Sequence, residues 1–312
     1  MNTPTAEHRP ALAAAMTISA PIAMALLACY LVWGSTYLAI RLALVSFPPF
    51  FQMGTRFLVA GALLMGWVLW RRRQDASAAH ALPTRRQWAH ALLVGTLMLG
   101  AGMGLTATAS VEIGSGLIAA CIAVVPMMIS GWGLLWGRRP SRGEFAGMLL
   151  GLVGVLLLVR GNSFTASPVS MVCILAATAA WSLGSVLSTT RFPLAAGASG
   201  FASEMLCGGA VLLGVSWALG ETPVWPPQPV AVAAWLYLVV LGSLVAFSAY
   251  LYLLAHASAA LASSYAFVNP LIALLLGSAV AGEAVSTGEW AACGVILLAV
   301  LVILLARRRK PE

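Results

Sequence analysis

The chain has 312 residues, 61% of them hydrophobic and 8% charged, with a net charge of +8. Soluble domains carry about 25% charged residues, so this composition cannot cover a water-facing surface and excludes a soluble enzyme, a nucleic-acid-binding protein and a disordered chain. A bilayer-spanning helix needs about 20 apolar residues, so ten take about 200 and leave roughly a hundred for loops and ends.

In chain order, Arg9 and the apolar stretch from Ala11 have the outline of a signal peptide. The run continues past Trp33, too long for a cleaved segment, and reads as a true span. Apolar runs of spanning length fall at 18–42, 51–70, 88–108, 115–136 and 144–160, then at 168–188, 199–219, 231–254, 260–281 and 288–306. Turn chemistry separates them at Pro48-Pro49, 71–86, Gly161-Asn162-Ser163 and 223–229. The expected fold is an all-α integral membrane protein of ten transmembrane helices, with no break long enough for a soluble domain. Cys29, Cys121, Cys173, Cys207 and Cys293 lie inside apolar runs at no metal-ligand spacing, and read as small hydrophobes.

Basic residues orient the chain. With a cytoplasmic N-terminus, 14 of the 17 Lys and Arg fall inside, and Arg41, Arg56 and Arg160 on the outer half. Positive charge resists translocation, so both termini are expected in the cytoplasm.

The two halves repeat. Gly34-Ser35 with Arg41 recurs as Gly184-Ser185 with Arg191, Gly61-Ala62 as Gly209-Ala210, Pro126 as Pro270, and Gly143-Glu144 as Gly288-Glu289, at offsets of 144–150. An odd unit of five helices forces the second copy upside down, giving repeats over 1–160 and 161–312. Charge agrees: the second and fourth loops of the first half hold eight arginines, and their counterparts hold no Lys or Arg. Inverted repeats are a common build of secondary transporters, with the substrate near the midplane.

Trp33-Gly34-Ser35-Thr36-Tyr37, Arg41, the Pro48-Pro49 turn and Arg56-Phe57 resemble the opening of EamA-type members of the drug/metabolite transporter superfamily. Trp181, Gly184-Ser185, Glu204-Met205, the stretch from Ser263-Ser264-Tyr265 to Asn269-Pro270, Gly282-Glu283 and Glu289-Trp290 extend the resemblance over 20–305. Within the superfamily the chain resembles the YedA-like inner-membrane exporters. The resemblance implies ten helices in two inverted repeats and export of small metabolites or drugs across a bacterial inner membrane. It stops short of a coupling mechanism: the small multidrug members use a glutamate in their first helix, and no acidic residue occurs here between Ala11 and Val45.

Polar groups in hydrocarbon are costly and are site candidates by default. Glu204, about five residues into its span, reads either as a carboxylate that couples export to proton entry or as a packing group. Arg56 is its matching cation, or a residue snorkelling to the outer interface. The two differ in height by about 13 Å in a core of roughly 30 Å, too far for an ion pair, so each is expected to serve its own side of the cavity. Pro126 and Pro270 each interrupt a span and release the carbonyl four residues back, on Ile122 and Ala266, as suits cavity-lining helices. Tyr265 and Asn269 share one face of the ninth span, and Trp33, Ser35, Tyr37 and Trp181 offer aromatic and hydroxyl groups in the first and sixth. For any single aromatic, ordinary packing competes with that role. Gly147, Gly151 and Gly154 form a small-residue face, for packing within the chain or for a dimer. Glu112, Glu144, Glu221, Glu283 and Glu289 read as solvated or capping groups, and His90 and His256 as hydrogen-bonded residues.

The expected function is secondary export of small organic solutes, amino-acid-like, aromatic or cationic. No GxxxxGK[ST] loop is present to bind a nucleotide, which leaves the proton gradient or the solute's own. Phosphate substrates need several deep basic groups, and Arg56 is alone. A facilitator, channel or scaffold is the alternative. A membrane-embedded enzyme lacks the histidine and carboxylate cluster it would need. The expected partners are a small-molecule solute, the lipid bilayer and protons, with no nucleic acid, metal or cofactor, in a monomer or homodimer.

Overall fold

The computed structural model describes residues 19–75, 81–112, 118, 121–159, 167–281 and 286–307. Ten helical rods occupy these residues and contain no strand. They are α1 (Ala20–Ala43), α2 (Pro49–Gln74), α3 (Arg85–Ala109), α4 (Val125–Leu134) and α5 (Arg142–Val159). Then follow α6 (Pro168–Ser188), α7 (Ala198–Ala218), α8 (Pro229–His256), α9 (Ala259–Ala262 and Tyr265–Ala281) and α10 (Thr287–Arg307). Six of them, α1, α2, α3, α6, α7 and α8, are long and apolar enough to cross a membrane by themselves. The start of the fourth expected span, Arg9, the Gly161-Asn162-Ser163 turn, Gly282-Glu283 and the side chain of Glu289 lie outside the described residues.

Local chemistry sets the helix starts. Proline occupies the first turn of α1, α2, α6 and α8, where its missing N–H has no helical partner to lose. Thr84 and Gln87 close a capping box on α3, and Ser141 and Glu144 exchange the same two bonds on α5, at 2.8 and 3.2 Å. Glu221, in the loop after α7, accepts from the backbone N–H groups of Phe50 and Phe51 at 3.2 and 2.8 Å, capping α2 from a distant part of the chain. Glu221→Ala strips a charged acceptor from that N-terminus and is expected to cost about 1–2 kcal/mol, read as a drop of a few degrees in the thermal midpoint. An unchanged midpoint would mean that water replaces the carboxylate without loss.

Glycines set the packing. α2 and α7 lie antiparallel in close contact: a Cβ on Gly54 would meet Leu213 at 2.8 Å, one on Gly61 would meet Leu206 at 3.0 Å, and one on Gly209 would meet Leu58 at 2.8 Å. α5 and α10 pair in the same antiparallel way, with Gly143 against Ala306, Gly147 against Ile303 and Gly154 against Ile296. Gly151 is covered by the ring of Phe267 on α9. The small-residue face of α5 is therefore consumed inside the chain, and the dimer alternative for it falls. Large apolar side chains point outward instead, among them Leu27, Leu31 and Leu38 on α1 and Leu149, Val153 and Leu156 on α5. Such a surface is stable against lipid and costly against water.

Two features depart from the sequence expectations. Pro126 does not kink a helix: a turn at 123–124 breaks the chain first, and the proline sits in the first turn of α4. A new helix start accepts proline without stripping a carbonyl, so the chain breaks there and not below it. In the ninth rod the break falls at Ser263-Ser264, and Pro270 lies within the helix that follows. The second departure is a pair of wide, π-helical stretches, Thr96–Met103 within α3 and Leu238–Phe247 within α8. Such stretches are rare and concentrate at functional sites.

Candidate functional site

α1, α3, α4, α6 and α9 line a small cavity of about 60 Å³. It lies toward the ends where α1 and α3 finish, since Ile40 and Thr106 line it. Trp33, Tyr37, Trp181 and Tyr265 give it aromatic walls, and Thr36, Thr106 and Thr178 give it hydroxyls. Each threonine donates its proton back to its own helix: Thr36 to the Trp33 carbonyl at 2.8 Å, Thr106 to Gly102 at 2.7 Å, Thr178 to Leu175 at 2.8 Å. Their free lone pairs make the wall an acceptor surface without formal charge.

A second cavity, of about 320 Å³, opens at the opposite end between the C-terminal ends of α4, α6 and α8. Arg138, Arg139 and Glu144 stand at its edge. Arg138 is tied down, donating to the hydroxyl of Thr189 at 2.8 Å and to its carbonyl at 2.6 Å.

A layer of rings separates the two spaces. Trp181 lines the first cavity and Ser185, one turn on, lines the second. Tyr250, on α8, is fully buried at this point. Its hydroxyl and that of Ser185 are hydrogen-bonded at 2.9 Å, and its ring stacks on Trp181 with centroids 5.4 Å apart. Trp33 packs edge-on against Trp181 at 5.6 Å and against Tyr265 at 4.7 Å. The π-helical stretches hold this layer from both sides. The Trp33 indole donates to the Gly242 carbonyl at 3.3 Å, and Gly102 backs onto Trp181, where a Cβ would lie 3.2 Å from the ring.

The other sequence candidates fall outside the cavity wall. Ser35 donates to the Val32 carbonyl at 2.7 Å and also meets the Tyr237 hydroxyl. Asn269 is buried beside Tyr37, with Nδ2 at 3.5 Å from its hydroxyl and Oδ1 unpartnered. Pro126 and Pro270 are buried behind the lining, while Ile122 and Val125 face it. Glu204 is fully buried and neither carboxyl oxygen has a hydrogen-bond partner. It sits on α7 where that helix touches α3, its carbonyl 2.8 Å from the place a Gly95 Cβ would take. Arg56 is buried on α2 and donates from Nε to Ser243 Oγ at 2.7 Å. No ion pair joins Arg56 and Glu204, as the sequence geometry expects.

Sequence reasoning missed Tyr250 and the threonines Thr36, Thr106 and Thr178. Tyr250 carried one usable signal, a hydroxyl deep in an apolar run. Outside the spans, the capping reading of the acidic residues holds for Glu144 and Glu221, and for Glu112, which accepts from Ser170 at 2.6 Å and from Ser167. These bonds hold its carboxyl below the usual carboxylate range. His90 is hydrogen-bonded to the Pro193 carbonyl at 2.8 Å, and His256 to that of Tyr252 at 2.9 Å.

A lipid-facing helical shell around two internal cavities is the build of a membrane transporter. Residues 20–160 and 169–305 each match the EamA-like transporter family, and the chain belongs to it. It is 38% identical over 288 residues, 92% of both chains, to the uncharacterized inner membrane transporter YedA of Escherichia coli strain K12. It is 25% identical over 295 residues to protein PecM of Dickeya dadantii, covering 89% of this chain and 92% of that one. A solved structure described as "Crystal structure of protein" shares the fold, with a TM-score of 0.75 at 22% identity over 95% of this chain and all of the other. The protein is thus a multi-pass inner-membrane transporter.

Proposed function

We propose that this protein exports small organic solutes by alternating access between the two cavities, with both termini in the cytoplasm. The observation that carries the reading is the closed ring layer between two spaces at opposite ends of the molecule. In this reading the chain is two inverted five-helix units, 1–160 and 161–312, and all ten rods span. The antiparallel pairs α2/α7 and α5/α10, the π-helical stretches of α3 and α8, and the meeting of Trp33 with Trp181 all relate an element to its counterpart five helices on, which supports it. Trp33, Tyr37, Trp181 and Tyr265 are the solute's walls, Asn269 orients Tyr37, and the uncharged wall suits aromatic, amino-acid-like or cationic solutes. Pro126 and Pro270 shape the lining helices, and Ser35 supports the wall through Tyr237.

Glu204 is the coupling group of this mechanism. An unpartnered ionised carboxylate in a dry core costs several kcal/mol. A carboxyl so enclosed exchanges its proton when α7 and α3 part and admit water, and so ties proton entry to a change of shape. Its position away from the cavity wall favours a second reading, a facilitator that runs on the solute's own gradient. Proteoliposomes loaded with amino acids, purines, sugars and lipophilic cations decide between them. Under an imposed pH gradient, wild type is expected to release a selected solute at least tenfold faster than without one, and Glu204→Gln to lose that acceleration. Release indifferent to the gradient and to Glu204 leaves the facilitator; no release from folded protein overturns both.

A further inference from the structure

Among the described residues, Arg56 is the largest side chain to be fully buried. A guanidinium keeps its proton at neutral pH, and sequestering it without a counter-charge costs more than one cation–π contact returns. Its neighbours among the described residues supply no such charge. Nε donates to Ser243 Oγ at 2.7 Å, Nη1 faces Met53 Sδ at 3.6 Å, and the carbon of the group lies 4.7 Å from the centre of the Phe57 ring. Glu204 is not its partner, because both Glu204 oxygens are unpartnered. One turn earlier on the same face of α2, Gln52 is also buried, and both atoms of its amide lack any hydrogen-bond partner. Buried amides are otherwise almost always satisfied. An unbalanced cation beside an idle N–H donor and a hydroxyl is the donor set of an anion site.

Gly242 places this group beside the first cavity. A Cβ at that position would lie 2.7 Å from Arg56 Nη2 and 3.3 Å from Thr36 Cγ2, and Thr36 lines the first cavity. Gly242, within the π-helical stretch of α8, thus lets the guanidinium pack within one residue of Thr36 and the cavity wall. We propose that Arg56, Gln52 and Ser243 form a buried site for one monovalent anion, next to the wall of the first cavity. One guanidinium balances one charge, which selects a halide or a single carboxylate over phosphate or sulfate. The site stands on this donor set and not on the transport reading.

Equilibrium dialysis of the purified full chain against radiolabelled chloride, then against radiolabelled benzoate, in a sulfate background of constant ionic strength, tests it. The expected result is one saturable monovalent anion per chain. Chloride that benzoate does not displace marks a halide site, and saturable benzoate marks a place for a solute's carboxylate; both support the proposal. Gln52→Met is expected to weaken binding at least tenfold, Ser243→Ala severalfold, and Arg56→Gln to abolish it. Should Arg56→Gln not fold, the first two variants carry the test. No saturable binding of either anion, or binding unchanged in Gln52→Met and Ser243→Ala, would overturn the site.

Discussion

Valine at Gly209 is expected to destroy the folded protein, while valine at Gly214, five residues further along the same helix, is expected to pass almost unnoticed. A Cβ at Gly209 would stand 2.8 Å from the backbone nitrogen of Leu58 and 3.1 Å from the carbonyl oxygen of Gly54, so it meets main chain that cannot rotate away. At Gly214 nothing lies within 4 Å. Helix propensity changes equally in the two variants, which isolates the contact. Overpacking in a tight core costs about 1–3 kcal/mol when side chains can adjust, and more when backbone must move. The α2/α7 contact repeats the clash at Gly54 and Gly61, so separating the helices to relieve one breaks the others. The expectation for Gly209→Val is a loss of at least ~3 kcal/mol, seen as the disappearance of the monodisperse peak in size-exclusion chromatography. Gly214→Val should stay within about 0.5 kcal/mol of wild type. Equal behaviour of the two would mean that this contact does not hold the bundle together.

Those glycines also show what the sequence makes legible. The apolar runs gave ten rods because a hydrocarbon environment forces every backbone N–H into a helix, so length and composition alone set the pattern. Gly61 and Gly209 recur across the two halves, and close approach of α2 and α7 needs small residues at such positions. The ring layer was half legible. Trp33 and Trp181 each lie within three residues of the repeated Gly-Ser pair, but Tyr250 hides in a run where lipid and core demand the same side chains. Hydrophobic periodicity, which separates inside from outside in water, carries little of that information here. The π-helical stretches had no signal, because a widened turn changes geometry and not composition. Glu204 and Arg56 were found by their cost in lipid. Their neighbours are not legible, since depth along a helix says nothing about which neighbour its face meets.

Replacing Tyr250 by alanine is expected to join the two cavities and turn the transporter into a leak. The ring touches Trp33, Trp181 and Tyr265 at centroid distances of 5.1, 5.4 and 5.3 Å and is the part of the layer that reaches Ser185 on the far side. Removing a buried aromatic side chain costs about 3–5 kcal/mol, because the surrounding rings cannot collapse fully into the space left. In proteoliposomes, Tyr250→Ala is expected to dissipate a solute gradient whether or not a pH gradient is present, by at least tenfold over wild type. Tyr250→Phe keeps the plug and removes one hydrogen bond, worth about 1 kcal/mol, so it should stay tight while shifting the balance between the two states about fivefold. Ser185→Ala removes the same bond together with the one Ser185 donates to the Trp181 carbonyl of its own helix, and the double variant should shift the balance no further than Ser185→Ala alone. Additive effects would separate the two hydroxyls. A Tyr250→Ala protein that folds, stays tight and remains coupled would move the barrier to another part of the bundle, and with it the interpretation of the two cavities as alternately opened.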